Sequence, residues 1–185
     1  RFNYRVLDQA KDEKKTLYDR LKFMAITASN LDEFFMIRVG SLYNYIDYGK
    51  ERVDYSGLRE LPFRKKLLEF AHRFVNDQYL VYTNELKPHF EEHGFNILKP
   101  TELTDVEKKK VDTYFKKTIY PLLTPIVYDT YHGFPLLMNQ LLTYGVVTKT
   151  AEDTKQNQRL TFVQIPQNLA RFYEIQRKDM VIFVP

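Results

Sequence analysis

Ser29-Asn30-Leu31-Asp32-Glu33-Phe34-Phe35-Met36-Ile37-Arg38 is a run of polar and charged side chains set into the most apolar part of the chain. On either side of it, apolar residues recur at Leu17, Leu21, Met24, Ala28, Leu31, Phe35, Val39, Leu42 and Ile46. Steps of three and four place them on one face of a helix. Phe23 and Ile26 widen that face, which predicts a helix sandwiched between neighbours. Ser29 and Asn30 are cap-type residues, and Glu33 follows Asn30 by three positions, close to a capping box, with acids where a first helical turn favours them. The spacing therefore predicts one helix ending near Ala28 and another starting near Leu31, with an unbroken helix as the alternative.

Working outward, Gly49 and Gly57 mark a polar loop, and a third long helix starts near Pro62. Leu67, Ala71, Val75, Tyr79, Tyr82, Leu86 and Phe90 form its stripe. Pro88 should kink or restart it, and Gly94 suits a C-cap. The pattern changes near residue 100. Phe95 to Leu98 reads as a short strand, and Thr104-Asp105-Val106-Glu107 as a capping box. That box opens a basic helix with Val111, Tyr114, Phe115 and Ile119 on its apolar face. Strand-like runs follow at Leu141 to Thr148, Leu160 to Ile165 and Met180 to Val184. The first two read as a hairpin around the polar turn Asp153 to Gln158. The fold class is α then α+β: an all-helical domain over residues 1–100, then a mixed α+β domain over residues 101–185. The apolar terminal run and the start without methionine predict a piece of a longer chain.

Composition narrows the chemistry. The chain has 185 residues, 44% of them hydrophobic, enough for a real core. It contains no cysteine, which removes thiol catalysis, thiolate zinc sites and CxxC redox chemistry and fits a cytosolic compartment. The net charge of +4 arises from 28 basic and 24 acidic residues, and each half carries +2. No basic arm or acidic tail stands out as a polyanion binder. The first residues form no signal peptide, and no apolar run approaches the roughly 18 residues of a membrane helix.

Among candidates for chemistry, His89 and His93 have the i, i+4 spacing of metal ligands but no surrounding HExxH motif, so a solvated helix outweighs a metal site. His72 reads as a packing residue among helical apolar neighbours, and His132 as part of the turn Tyr131 to Pro135. No histidine has a nucleophile or orienting carboxylate near it in sequence. Lys108, Lys109, Lys110, Lys116 and Lys117 offer charge for phosphates, although such a run is usually a helix's solvated face. The 14 tyrosines and 14 phenylalanines fall mostly on helical stripes and show no RNA-binding motif. The run Ser29 to Arg38 is the one unusual polar constellation, and Asn30 is the residue in it suited to a ligand. Its amide donates and accepts, enough to read an adenine edge, and a helix N-terminus beside it would tolerate phosphate. The competing reading makes it an N-cap only.

The same residues carry a resemblance. Phe2 to Ala10, Leu21 to Ile26 and Ser29 to Val39 are similar to the opening of the polyphosphate kinases that form long-chain polyphosphate from ATP. Tyr120 to Ile126, His132 to Pro135 and Ile165 to Phe172 continue it in the family's order. One departure is Gly133, where many relatives place proline. The resemblance implies a helical N-terminal domain on the nucleotide side and a truncated head domain. The phosphorylated histidine, the arginines around it and the Mg2+ site are implied to lie beyond this chain, so no catalytic or metal-binding residue is assigned within it. Asn30 matches the family's ATP-site asparagine. Asp32, Glu33 and Arg38 match the motif and are assigned to capping and inter-domain contacts. The implied partners are ATP or ADP, inorganic polyphosphate and further copies of the chain as a dimer or tetramer. Nucleic acid and integral membrane segments are not implied, and the location is cytoplasmic, free or membrane-peripheral. The fragment alone is expected to be inactive. The reading from a different class is a non-catalytic helical module that binds a partner protein or nucleic acid.

Overall fold

In the computed structural model, which describes residues 1–48, 60–128, 133–138, 140–148 and 159–185, Thr16 sets the start of the helix that carries the polar run. Its hydroxyl accepts from the Asp19 amide at 3.2 Å, satisfying one of the free donors of a first turn. Helix α1 (Phe2–Lys11) precedes it, and α2 (Leu17–Phe34) then runs through Ser29 and Asn30 without a break. The expected division between Ala28 and Leu31 is therefore corrected. The Asn30 amide is bonded to a neighbouring helix and does not turn back onto its own backbone, so nothing interrupts the ladder. The irregularity comes five residues later, as a π-helical turn at Phe35–Val39, before α3 (Gly40–Asp47).

Helix α4 (Glu60–Val81) ends in a second π-helical turn, Tyr82–Leu86, and two 3₁₀ turns, Lys87–His89 and Glu91–His93. Pro88 lies at this change, as its missing N–H requires. The first compact unit, Arg1–His93, buries Leu7, Ala10, Leu17, Val39, Phe74, Val81, Leu86 and Phe90. Leu7 and Leu86 are 0% exposed, each stabilising the unit by about 1.5–3 kcal/mol. The predicted stripes are rotated in places. Ala28 and Ile26 are exposed and Tyr79 is largely so, which removes the sandwiched arrangement at Ile26. Arg20 and Thr27 take buried positions of α2 instead, Arg20 donating from Nε to the Ala10 carbonyl at 2.7 Å.

The second unit, Gly94–Pro185, opens on Gly94 at φ 76°, a left-handed turn that favours glycine. Strand β1 (Phe95–Ile97) pairs in parallel with β6 (Met180–Val184), Phe95 opposite Val181, and β5 (Tyr173–Arg177) pairs antiparallel with β6. The terminal strand is thus the centre of a β1-β6-β5 sheet. Ile175, Ile182 and Val184 form its core, packed by Leu98, Leu103, Val111, Tyr173 and Met180. The predicted capping box opens α5 (Asp105–Tyr114), which ends in a third π-helical turn, Phe115–Ile119. Val111, Tyr114 and Ile119 are partly buried, but Phe115 is exposed. The expected hairpin is present: β3 (Thr143–Thr148) pairs antiparallel with β4 (Arg159–Gln164), and β2 (Pro125–Tyr128) adds to the other edge of β4. The architecture is a helical unit followed by a mixed α+β unit. Gly49, Gly57, the turn Asp153 to Gln158 and His132 lie outside the described residues.

Candidate functional site

Three polar side chains stand where their helices' apolar stripes would place core residues. Asn3 precedes Leu7 and Ala10 by four and seven positions on α1, Thr27 lies on the buried side of α2, and Gln78 falls between Phe74 and Val81 on α4. They meet in one network. Thr27, fully buried, donates from its hydroxyl to the Met24 carbonyl at 2.6 Å and accepts from the Gln78 amide at 2.6 Å. Asn3 donates from Nδ2 to the Thr27 carbonyl at 2.9 Å. Asn30 then donates from Nδ2 to Asn3 Oδ1 at 3.1 Å. Every buried polar atom in such a chain needs its partner, because an unmet donor or acceptor costs about 1–3 kcal/mol.

Alongside it, Tyr4 donates its hydroxyl to Asp77 Oδ2 at 2.7 Å and sets its ring edge against Phe74, centroids 4.9 Å apart. The hydrogen bond to Asp77 raises the Tyr4 pKa above its ordinary value, so the phenol keeps its proton. Asn30 is thereby held at the outer end of a packed polar network. It is partly exposed, and its Oδ1 accepts no bond among the described residues. One helical turn to either side stand the exposed Ile26 and Phe34, with Ile37 a further turn on. Asn30 is thus an amide of fixed direction with exposed apolar side chains near it along the helix.

The other candidates separate from this site or fall away. The helix N-terminus expected beside Asn30 does not exist, since α2 is continuous there, so no free amides await a phosphate at that point. For the same reason Asp32 and Glu33 are exposed residues of the last turn of α2 and not N-terminal caps, and Arg38 is exposed on the π-helical turn. His72 is exposed and not a packing residue. His93 Nδ1 lies 2.8 Å from the His89 carbonyl, and His89 Nδ1 lies 3.5 Å from Glu92 Oε2. No group of three or more His, Asp or Glu converges on a metal position among the described residues. No helix of the described residues is long and apolar enough to cross a membrane. Lys108, Lys109, Lys110, Lys116 and Lys117 are all exposed.

Sequence reasoning singled out Asn30 but missed Asn3, Thr27 and Gln78. None of the three lies on a stripe read from the sequence: the stripes over α2 and α4 named Ala28 and Tyr79, which the structure exposes. What no sequence pattern supplied was that the three positions face one another.

Comparison with known proteins finds relatives of both parts of the chain. The family described as the polyphosphate kinase N-terminal domain matches residues 1–98, and the polyphosphate kinase middle domain matches residues 106–185. A polyphosphate kinase of Halalkalibacterium halodurans is 38% identical over 96% of this chain, which spans 25% of that protein. One from Pseudomonas syringae is 36% identical over 94% of this chain and 24% of its own length. The crystal structure of the polyphosphate kinase from Porphyromonas gingivalis superposes with a TM-score of 0.80 at 24% identity, covering 99% of this chain and 27% of that one, and shows the shared fold. The chain spans about a quarter of the relatives it matches. With both of its parts matched in order, the chain belongs to the polyphosphate kinase family.

Proposed function

We propose that this chain is the N-terminal and head portion of a longer polyphosphate kinase, which moves the terminal phosphate of ATP reversibly onto inorganic polyphosphate through a phosphohistidine. Asn30 contacts the adenine end of ATP in this reading, and the observation that carries it is the orientation of its amide. The family resemblance names this asparagine, and the network through Asn3 and Thr27 leaves its oxygen directed at no protein group among the described residues. Ile26 and Phe34 supply apolar surface on either side of it.

Phosphoryl transfer depends on positioning and charge neutralisation. This portion supplies positioning. The histidine, the arginines and the Mg2+ that neutralises phosphate charge belong to the remainder of the longer chain, and none of His72, His89 or His93 is assigned to the transfer step. The α+β unit serves as scaffold for self-association and for the approach of polyphosphate. The exposed lysines of α5 form the solvated face of that unit.

Asn30→Ala in the full-length enzyme tests the reading. Losing this contact should weaken ATP binding by about 1–3 kcal/mol, with polyphosphate binding unchanged. An unchanged ATP affinity together with earlier melting would reduce Asn30 to a packing residue.

A further inference from the structure

We propose that Asn3 is the positioning residue that fixes which end of the Asn30 amide faces the nucleotide, and that it thereby sets the preference for adenine over guanine. The proposal rests on the ATP-contact reading of Asn30 given above. Its starting point is a backbone carbonyl. The Thr27 carbonyl can only accept, so the group of Asn3 that lies 2.9 Å from it must be the amide nitrogen. Asn3 Oδ1 is then the atom turned toward Asn30, 3.1 Å away. An oxygen there requires a donor, so Asn30 must present its own Nδ2 to Asn3. Reversal of the Asn30 amide would bring two acceptor oxygens together. The Thr27 carbonyl is itself in the middle of α2 and cannot turn.

The relay leaves Asn30 with its Oδ1 and one N–H for a ligand. That pair matches adenine, which presents an amino donor at N6 beside an acceptor at N7. Guanine presents O6 and N7, two acceptors, so Asn30 Oδ1 would meet an oxygen. A site built for one hydrogen-bond pattern rejects the other because its own groups go unpaired. Without Asn3 both N–H groups of Asn30 are released, so the amide could turn its nitrogen to guanine and donate to O6 and N7 together. Asn3 therefore acts through Asn30, and its effect appears as a ratio of affinities.

The test measures dissociation constants of nonhydrolysable ATP and GTP analogues on the full-length enzyme, with melting temperatures alongside. Asn3→Leu keeps the volume but removes the relay, and it should cut the ATP-over-GTP preference by about tenfold, the effect of one hydrogen bond. Asn3→Asp keeps the acceptor for Asn30 while losing the Thr27 contact, so it should melt earlier and retain most of the preference. Tyr4→Phe removes the neighbouring bond to Asp77 without touching Asn30, and it should lower the melting temperature with the ratio unchanged. Adding Asn3→Leu to Asn30→Ala should leave the ratio where Asn30→Ala alone put it. The proposal is overturned if Asn3→Leu leaves the ratio intact, if Asn3→Asp loses it as fully, or if the effects of Asn3→Leu and Asn30→Ala add. Should Asn30→Ala by itself leave ATP-analogue affinity unchanged, the ATP-contact reading fails first, and the two failures are told apart.

Discussion

Glu107→Gln tests how the second unit holds its basic helix against its sheet. Glu107 is only 9% exposed, and its carboxylate is saturated with donors. Arg177 of β5 donates from Nε at 2.7 Å and from Nη2 at 2.9 Å, and Thr104 donates from its backbone amide and its hydroxyl, each at 2.9 Å. The Arg177 guanidinium and the Thr104 amide hold the Glu107 carboxyl well below the ordinary value of 4.5, at about 2. At about 1.4 kcal/mol for each tenfold change, the ceiling on its contribution is about 3 kcal/mol. The Arg177 side chain is 33% exposed, so water screens the pair, and about 1–2 kcal/mol is the expected loss at neutral pH.

The sign follows from linkage. A depressed carboxylate pKa means that the folded state favours the ionised form, so the contribution is complete above about pH 4.5 and disappears as pH falls toward 2. Urea unfolding of the 185-residue chain, followed by the methyl signals of Ile175 and Ile182, reports on the second unit alone. The wild-type and Glu107→Gln midpoints should differ by the amount above at pH 7 and converge between pH 4.5 and pH 2. A gap that stays constant across that range, or no gap at pH 7, would refute the reasoning.

Two more expectations concern stability. Thr27→Val keeps the side chain's shape but strands the Gln78 amide, so urea midpoints of the helical unit should report a loss of about 1–3 kcal/mol. Gly94→Ala should cost about 1–2 kcal/mol in the second unit, measured the same way, because alanine at φ 76° is strained. The new Cβ would lie 3.6 Å from the Asp179 carbonyl, an ordinary contact, so crowding should add nothing.

Several elements were legible because their causes are local. The capping box at Thr104 depends on a hydroxyl and a carboxylate three residues apart, and it forms as read. Pro88 ends a helix because it lacks an N–H. The terminal strand was visible as an unbroken apolar run because both of its neighbours, β1 and β5, enclose it. Strand β5 was not visible, since Tyr173-Glu174-Ile175-Gln176-Arg177 contributes one buried residue and alternates with polar ones. The break expected at Asn30 failed for a non-local reason. A cap-type side chain stops a helix only when it bonds to its own backbone, and this one bonds to Asn3, 27 residues away. The π-helical turns at Phe35–Val39, Tyr82–Leu86 and Phe115–Ile119 have no compositional mark at all.

The linear order of residues determined, on its own, that the chain is helical first and mixed afterwards, that it lacks thiol chemistry, and that Asn30 stands out among its polar groups. Periodicity, caps and composition are properties of neighbours along the chain, so they survive without coordinates. Only the tertiary structure decided what Asn30 can do. The direction in which an amide points depends on which atoms face it, and here that is settled by a carbonyl on α2 acting through a side chain on α1. That Asn3, Thr27 and Gln78 turn inward and meet is a consequence of how three helices pack, and no spacing along the sequence encodes it.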